Sequence, residues 1–378
     1  MSINLRTFHI SDLPYDRIFI LLKPDFHNNL FNFIKEISFL GLNSQFFSNR
    51  LYLSTFKQWK SRKHFIPLGF ILDLHKSFPT EFPIELIECS IEAYKGPSSS
   101  TIIYNPNLPL IEDSRLLKLL AHAIGDGYIG GGFGSKLPKG KSHSEYRNFN
   151  TTLLDTFAND LSIFGKIKVS VNKKHGHVII PNLIGYILQH IYKIKFKSRE
   201  SEIPPILFNL PRELIASFIR ALADDEGHVY DSSIEIYSTN KKLFEDFILL
   251  IKLKFPELKI SKLKVNLHQK NPKYYFKILS ESLEIYNQFI GFDSPDKKQD
   301  LIFAINRRKL WAQDKSRRLA KYKILYYLNE KPMTAKELSR KIGVTHTSIL
   351  YFLKNLKIGG FVSKQQKIKN SYLWMRMY

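Results

Sequence analysis

The amino-acid sequence predicts an α+β protein with an internally duplicated centre, and three observations predict it. Two apolar helical segments that end in acid-glycine, at Asp126-Gly127 and Glu226-Gly227, stand 100 positions apart, and similar strand-like and helical runs follow each. Before them, apolar residues recur at helical spacing. After them, a series of helix-start and helix-stop signals leads into two short strand-like runs.

Residues 28–41, HNNLFNFIKEISFL, read as an amphipathic helix, and the run from Arg50 to Leu74 as two short helices around a basic turn. Residues 1–100 are therefore expected to form a helical, helix-turn-helix-like region. A Pro, Gly and Ser cluster from Lys95 to Ser100 breaks the pattern and is expected to be a linker.

Residues 101–305 repeat themselves, over about 112–200 and about 210–300. Each copy opens with an apolar helix, SRLLKLLAHAIGDG or PRELIASFIRALADDEG, followed by a hairpin-like stretch. A helix starting LLDTF or LFEDF comes next, then two strand-like runs and a closing helix. The strand-like runs are KIKVSV with HVII in the first copy and LKVNLH with YYFKIL in the second. The first hairpin carries about ten extra residues, which read as an extended loop rather than a new element.

Residues 306–378 begin with a basic helix and continue into a compact trihelical signature. Thr334 and Glu337 make a capping box, Gly343 stops that helix, and Thr345 starts the next. Strand-like FVSK, a basic turn and strand-like SYLWMRMY follow, which is the element order of a winged helix. Thr345, His346, Thr347, Ser348 and Tyr351 then line the start of the helix that would enter a groove, with Lys364, Lys367 and Lys369 in the wing. Leu350 and Leu353 are expected to face inward.

Composition narrows the partner. The 57 Lys and Arg exceed the 34 Asp and Glu by 23, so the chain suits a polyanion, with nucleic acid foremost through counterion release. No apolar stretch is long enough for a membrane helix and no secretion signal opens the chain, so a cytoplasmic, nucleoid-associated protein is expected, without a membrane partner. The single cysteine, Cys89, makes neither an intramolecular disulfide nor a multi-thiolate zinc site, and is expected to be a buried filler.

The acid-tipped helices carry the chemistry. Ala121 and Gly125 lie four apart on one face, and Ala221 and Asp225 hold the matching positions. Small residues there let two helices pack closely, which would bring Asp126 and Glu226 together at their ends. Paired carboxylates repel unless they share divalent cations, and such cations activate water against a phosphodiester.

LLAHAIGDG (Leu119 to Gly127) and IRALADDEG (Ile219 to Gly227) resemble the two nonapeptides of monomeric LAGLIDADG homing endonucleases, a resemblance that spans about residues 112–300. It implies a pseudo-symmetric pair of αββαββα units whose sheets form a saddle over duplex DNA. It also implies Asp126 and Glu226 as catalytic metal ligands for Mg2+ or Mn2+, with Gly125 and Asp225 approaching the cations. Lys277 stands where family members place a catalytic lysine; Arg147 and Lys174 are the first copy's candidates and suit phosphate equally. The run from Thr55 to Leu74 resembles helix-turn-helix segments of archaeal relatives. His122 and Asp225 depart from the nonapeptide pattern, one polar where apolar residues stand and one charged where small residues pack.

The resulting expectation is a monomeric, site-specific double-stranded DNA endonuclease. The alternative is a non-cleaving regulator or replication-origin factor on the same scaffold, and an RNA maturase has less support. Three further patterns are set aside. Gly125 to Gly130 matches a dinucleotide fingerprint but follows a helix rather than a strand, and Gly134 to Ser142 departs from P-loop spacing. His175 and His177 flank a glycine and read as a turn.

Overall fold

The structure, a computed structural model, describes residues 5–39, 58–97, 99–129, 144–194, 201–267, 272–313, 319–368 and 371–377. Residues 40–41 of the first expected helix, residues 50–57 of the N-terminal basic run, the Gly134 to Ser142 loop and Lys369 of the wing lie outside these. By packing, the chain divides into two units, Met1–Glu226 with Ser238–Lys254, and Gly227–Tyr237 with Phe255–Tyr378.

In the first unit the helix expected over 28–41 is α1 (Pro24–Phe39) and the second of the two expected short helices is α2 (Leu68–Ser77), with α3 at Ile84–Ser90; of the first short helix only residues 58–60 fall within the described residues. They are accompanied by an antiparallel sheet that the helical spacing did not announce. Its order is β3-β2-β4-β5, from β2 (Phe19–Leu22), β3 (Ile66–Pro67), β4 (Ile91–Lys95) and β5 (Ile102–Tyr104). These strands are only two to five residues long, too short for a period-two pattern to stand out. The Pro, Gly and Ser cluster expected as a linker instead connects the β4–β5 hairpin, whose register pairs Lys95 with Ile102. A second pair, β1 (Thr7–Phe8) with β6 (Leu110–Ile111), closes this region. Cys89, expected to be buried, is exposed near the end of α3.

Backbone bonds tie the N-terminal sheet to the first repeat. Tyr104 and Lys166 exchange both N–H to carbonyl bonds at 2.9 and 2.7 Å, and the buried Tyr94 hydroxyl donates to the Phe164 carbonyl. Gly165 makes the approach possible: its φ is +128°, and a Cβ there would meet the Tyr104 carbonyl at 2.8 Å.

The two repeats have the same αββαββα order. The first runs α4 (Ser114–Ile124), β7 (Gly127–Tyr128), β8 (Ser144–Arg147), α5 (Thr151–Asp160), β9 (Val171–Asn172), β10 (His177–Ile180) and α6 (Asn182–Tyr192). The second runs α7 (Arg212–Glu226), β11 (Gly227–Tyr230), β12 (Ser233–Ser238), α8 (Lys241–Lys254), β13 (Lys264–Asn266), β14 (Lys273–Leu279) and α9 (Leu283–Phe289). Their sheets share one topology, β7-β8-β10-β9 and β11-β12-β14-β13. Asp113 starts α4 by accepting from the Arg115 and Leu116 amides, and Asn150 does the same for α5. The His175 region forms the turn before β10, with Gly176 at φ +63°.

In the second unit, α10 (Pro295–Gln313) runs straight through the position where the charge pattern placed a domain boundary. The winged helix follows: α11 (Ala320–Glu330), β15 (Met333–Thr334), α12 (Ala335–Ile342), α13 (His346–Ile358), β16 (Val362–Ile368) and β17 (Ser371–Arg376), with sheet order β15-β17-β16. The capping box of Thr334 and Glu337 forms, and Gly343 ends α12 in the left-handed conformation. Ile349, Leu353 and Leu356 turn α13 onto a core of Ile324, Leu338 and Trp374. Leu350, expected to face inward, is exposed, because one step from Ile349 rotates it off the buried stripe.

Candidate active site

The site is built where α4 and α7 end side by side. Ala121 and Ala221 are fully buried at the interface. The approach is close at Gly125, where a Cβ would meet the Asp225 carboxylate at 2.9 Å and the Asp225 Cβ at 3.1 Å. Gly127 is equally constrained, since a Cβ there would stand 2.5 Å from the Ala123 Cα. Asp126, between these glycines, is exposed just beyond α4, and Glu226, the last residue of α7, is half-buried.

Asp225 is not a loose carboxylate at this junction. His122 Nδ1 donates to its Oδ2 at 2.9 Å, and the Tyr146 hydroxyl donates to its Oδ1 at 2.7 Å. The Asn148 amide reaches the same Oδ1 at 3.3 Å and the Asp126 carboxylate at 3.5 Å, so one side chain spans the acid-bearing ends of both helices. The side chains of His122 and Asp225 are both buried. Burial works to lower the His122 pKa, but the carboxylates of Asp225 and Asp224 outweigh it, and the imidazole lies above its ordinary value of 6.5. The Tyr146 phenol is pushed well up, first by burial and then by Asp225.

The duplication supplies an internal comparison. Strand register aligns Gly127 opposite Tyr146 in the first copy with Gly227 opposite Ile236 in the second. Asp225 thus corresponds to Gly125, His122 to Leu222 and Tyr146 to Ile236. The polar network is one-sided: three donors from the first copy serve one acid from the second, and the positions reciprocal to His122, Tyr146 and Asp225 are leucine, isoleucine and glycine. His122 and Asp225 were visible in the sequence as two separate departures. Tyr146 and Asn148 were not, because nothing in a short strand marks a side chain that must reach another helix.

The other expected residues fall in three places. Arg147, on β8, is exposed, pairs with Glu145 at 2.7 Å, and donates its backbone N–H to the Asp126 carbonyl. Lys174 is exposed in the turn between β9 and β10, the same sheet as Arg147. Lys277, on β14 of the second unit, is bonded to Glu235 of β12 at 3.0 Å. On α13, Thr345 and Ser348 serve the helix itself, since Thr345 Oγ1 accepts from the Ser348 amide and donates to its hydroxyl. Thr347 and Tyr351 are exposed, and Lys367 stands on β16 above the Tyr372 ring.

Residues 320–364 match the family model described as bacterial regulatory protein, arsR family. The chain is 24% identical over 229 residues to a glutamine--fructose-6-phosphate aminotransferase [isomerizing] of Methanocaldococcus jannaschii, covering 57% of this chain and 20% of that protein. It is 30% identical over 162 residues to a probable translation initiation factor IF-2 of Thermococcus kodakarensis, covering 42% and 12%. The chain therefore spans a fifth or less of the length of these curated relatives. Among solved structures, mesophilic variants of the homing endonuclease I-DmoI align at 15% identity and TM-score 0.34, over 47% of this chain and 96% of that one. Full-length DUF199/WhiA from Thermatoga maritima aligns at 16% identity and TM-score 0.33, over 66% and 92%. Among the described residues no helix is long and apolar enough to cross a membrane.

Proposed function

We propose that this chain is a duplex-DNA-binding protein of LAGLIDADG type that cleaves both strands with the help of divalent metal. The reading rests on one observation above others: α4 and α7 pack through small residues and end in Asp126 and Glu226, with the Asn148 amide reaching across the junction. Among the described residues, no three His, Cys, Asp or Glu side chains gather as a metal cage. Two carboxylates nevertheless fit magnesium, which keeps several waters and is held by one or two carboxylates plus the substrate's phosphates. Mg2+ or Mn2+ held by Asp126 and Glu226 would activate water and stabilise the leaving oxygen. Asp225 takes a different part. Its oxygens are engaged by His122, Tyr146 and Asn148, so it serves as the acid that fixes the helix ends.

Binding is assigned to phosphate contacts from Arg147 and Lys174 on the first sheet, and to Thr347, Tyr351 and the basic wing of the winged helix. Both acids reside in one chain, so a monomer suffices. A second reading, a non-cleaving regulator, has its own support in the match of residues 320–364 to a regulatory-protein model and in the pairing of Lys277 with Glu235. Incubating the protein with genomic DNA and magnesium and mapping the resulting ends separates the two. Discrete ends support cleavage, and intact DNA recovered in complex supports the regulator.

A further inference from the structure

Within the second unit, the edge of the winged helix that would read DNA is already occupied. The first amide of α13, that of His346, donates to Asp231 Oδ2 at 2.9 Å, and Asp231 Oδ1 lies 2.6 Å from Arg307 Nη1. On the neighbouring α12, Lys336 Nζ sits 2.7 Å from the Asp300 carboxylate, and Arg340 pairs with the same group. Asp231 is at the tip of the β11–β12 hairpin and Asp300 is on α10, so both acids come from outside the winged helix. Together they line a cleft of about 390 Å³.

The groups held there are those a phosphate seeks. The amides that open a helix lack partners within it and carry its positive dipole end, and Lys and Arg beside them add charge. In helix-turn-helix domains the N-terminal residues of the second motif helix meet base edges, while the preceding helix crosses the backbone. A carboxylate offers two anionic oxygens, as a phosphodiester does. Two carboxylates on α12 and on the start of α13 therefore imitate a stretch of DNA backbone. Lys336 and Arg340 keep 50% and 37% of their side-chain surface exposed, so these pairs are weak and open to exchange.

We propose that Asp231 and Asp300 are built-in phosphate surrogates, and that duplex DNA engages this edge of the winged helix only by displacing them. The inference rests on the DNA-binding reading above. It adds a self-masking contact that lowers affinity for arbitrary duplex and leaves the domain to a site the rest of the chain already holds.

The test uses the full chain and a 30-base-pair duplex of random sequence, with binding measured across a salt series. Asp300→Ala is the primary variant, because its partners are partly solvated and stay so when it is removed; Asp300→Asn is its isosteric companion. Glu281→Gln, which removes one acid paired with Lys259 elsewhere in the unit, controls for net charge. Asp300→Ala is expected to tighten binding about tenfold and to steepen the slope of log affinity against log salt by about one to two, the signature of added phosphate contacts. Adding Lys336→Ala and Arg340→Ala should return both quantities to their wild-type values. A wild-type slope in Asp300→Ala, or an equal gain in Glu281→Gln, overturns the proposal. If wild type itself leaves duplex unbound, the DNA-binding reading fails, and the proposal falls with it.

Discussion

His122 Nδ1 lies 2.9 Å from Asp225 Oδ2, with both side chains buried between two helices that start from different halves of a duplication. The pair is a buried hydrogen bond, and an ion pair when the imidazole is protonated, in a place where each half separately would need an apolar or small residue. Removing one member leaves the other charge uncompensated in a dry interface, which costs more than the pair contributes.

The first prediction concerns pH. The folded chain holds the His122 proton more tightly than the unfolded chain, because its pKa lies above 6.5 when folded. Its stabilisation is complete below about pH 6.5 and is lost as pH rises through the raised folded value. Denaturant titrations from pH 6 to 9 should show this decline, and His122→Leu should flatten it while costing about 3 kcal/mol at pH 6. An unchanged pH profile in the variant would show that the imidazole is neutral throughout.

Gly125→Ala tests the helix approach. The new Cβ would face Asp225 at 2.9 Å, so the carboxylate must move and its bonds to His122 and Tyr146 weaken. A loss of about 1–3 kcal/mol is expected in chemical denaturation, the usual scale of overpacking. A neutral variant would mean the ends of α4 and α7 stand farther apart than described.

The run of α10 through position 306 yields a third expectation. Arg307 is buried and bonded to Asp231, so a chain cut after Ala304 loses a buried cation and leaves that acid alone. It should yield less soluble protein than a chain cut after Gln313. Arg307→Ala in the full chain should cost about 3 kcal/mol. Equal yields from the two truncations would support the boundary after residue 305 that the sequence suggests.

Much of this architecture was legible because it depends on residue spacing. Acid-glycine signals 100 positions apart marked the duplication, and the capping box at Thr334 fixed the start of α12. The short strands of the N-terminal sheet were not legible, because two to five residues cannot display a period. The site was half legible. Asp126 and Glu226 announce themselves by position in a repeat, whereas Tyr146 and Asn148 matter only through a long-range approach of β8 and its end to α7. The winged helix showed its order but not the acids seated on it, since Asp231 and Asp300 are ordinary hairpin and helix residues until the chain folds back.

The excess of 23 positive charges predicts that affinity for duplex is dominated by phosphate contacts. Binding should weaken by about 1000-fold or more between 50 and 200 mM salt, as for a protein with six or more such contacts. A nearly flat dependence would point to a partner other than nucleic acid.

The most direct measurement compares binding and cleavage in the acid variants. Wild type, Asp126→Asn and Glu226→Gln are incubated in magnesium with a duplex selected for tight binding, and both bound and cut fractions are read. Wild type is expected to cut both strands, and each variant to bind as tightly or more tightly, having lost negative charge facing phosphate, while cutting at least about 100-fold more slowly. A wild-type protein that holds its selected site in magnesium or manganese without cutting it, with variants of unchanged DNA and metal affinity, would contradict the account and leave the regulator in its place.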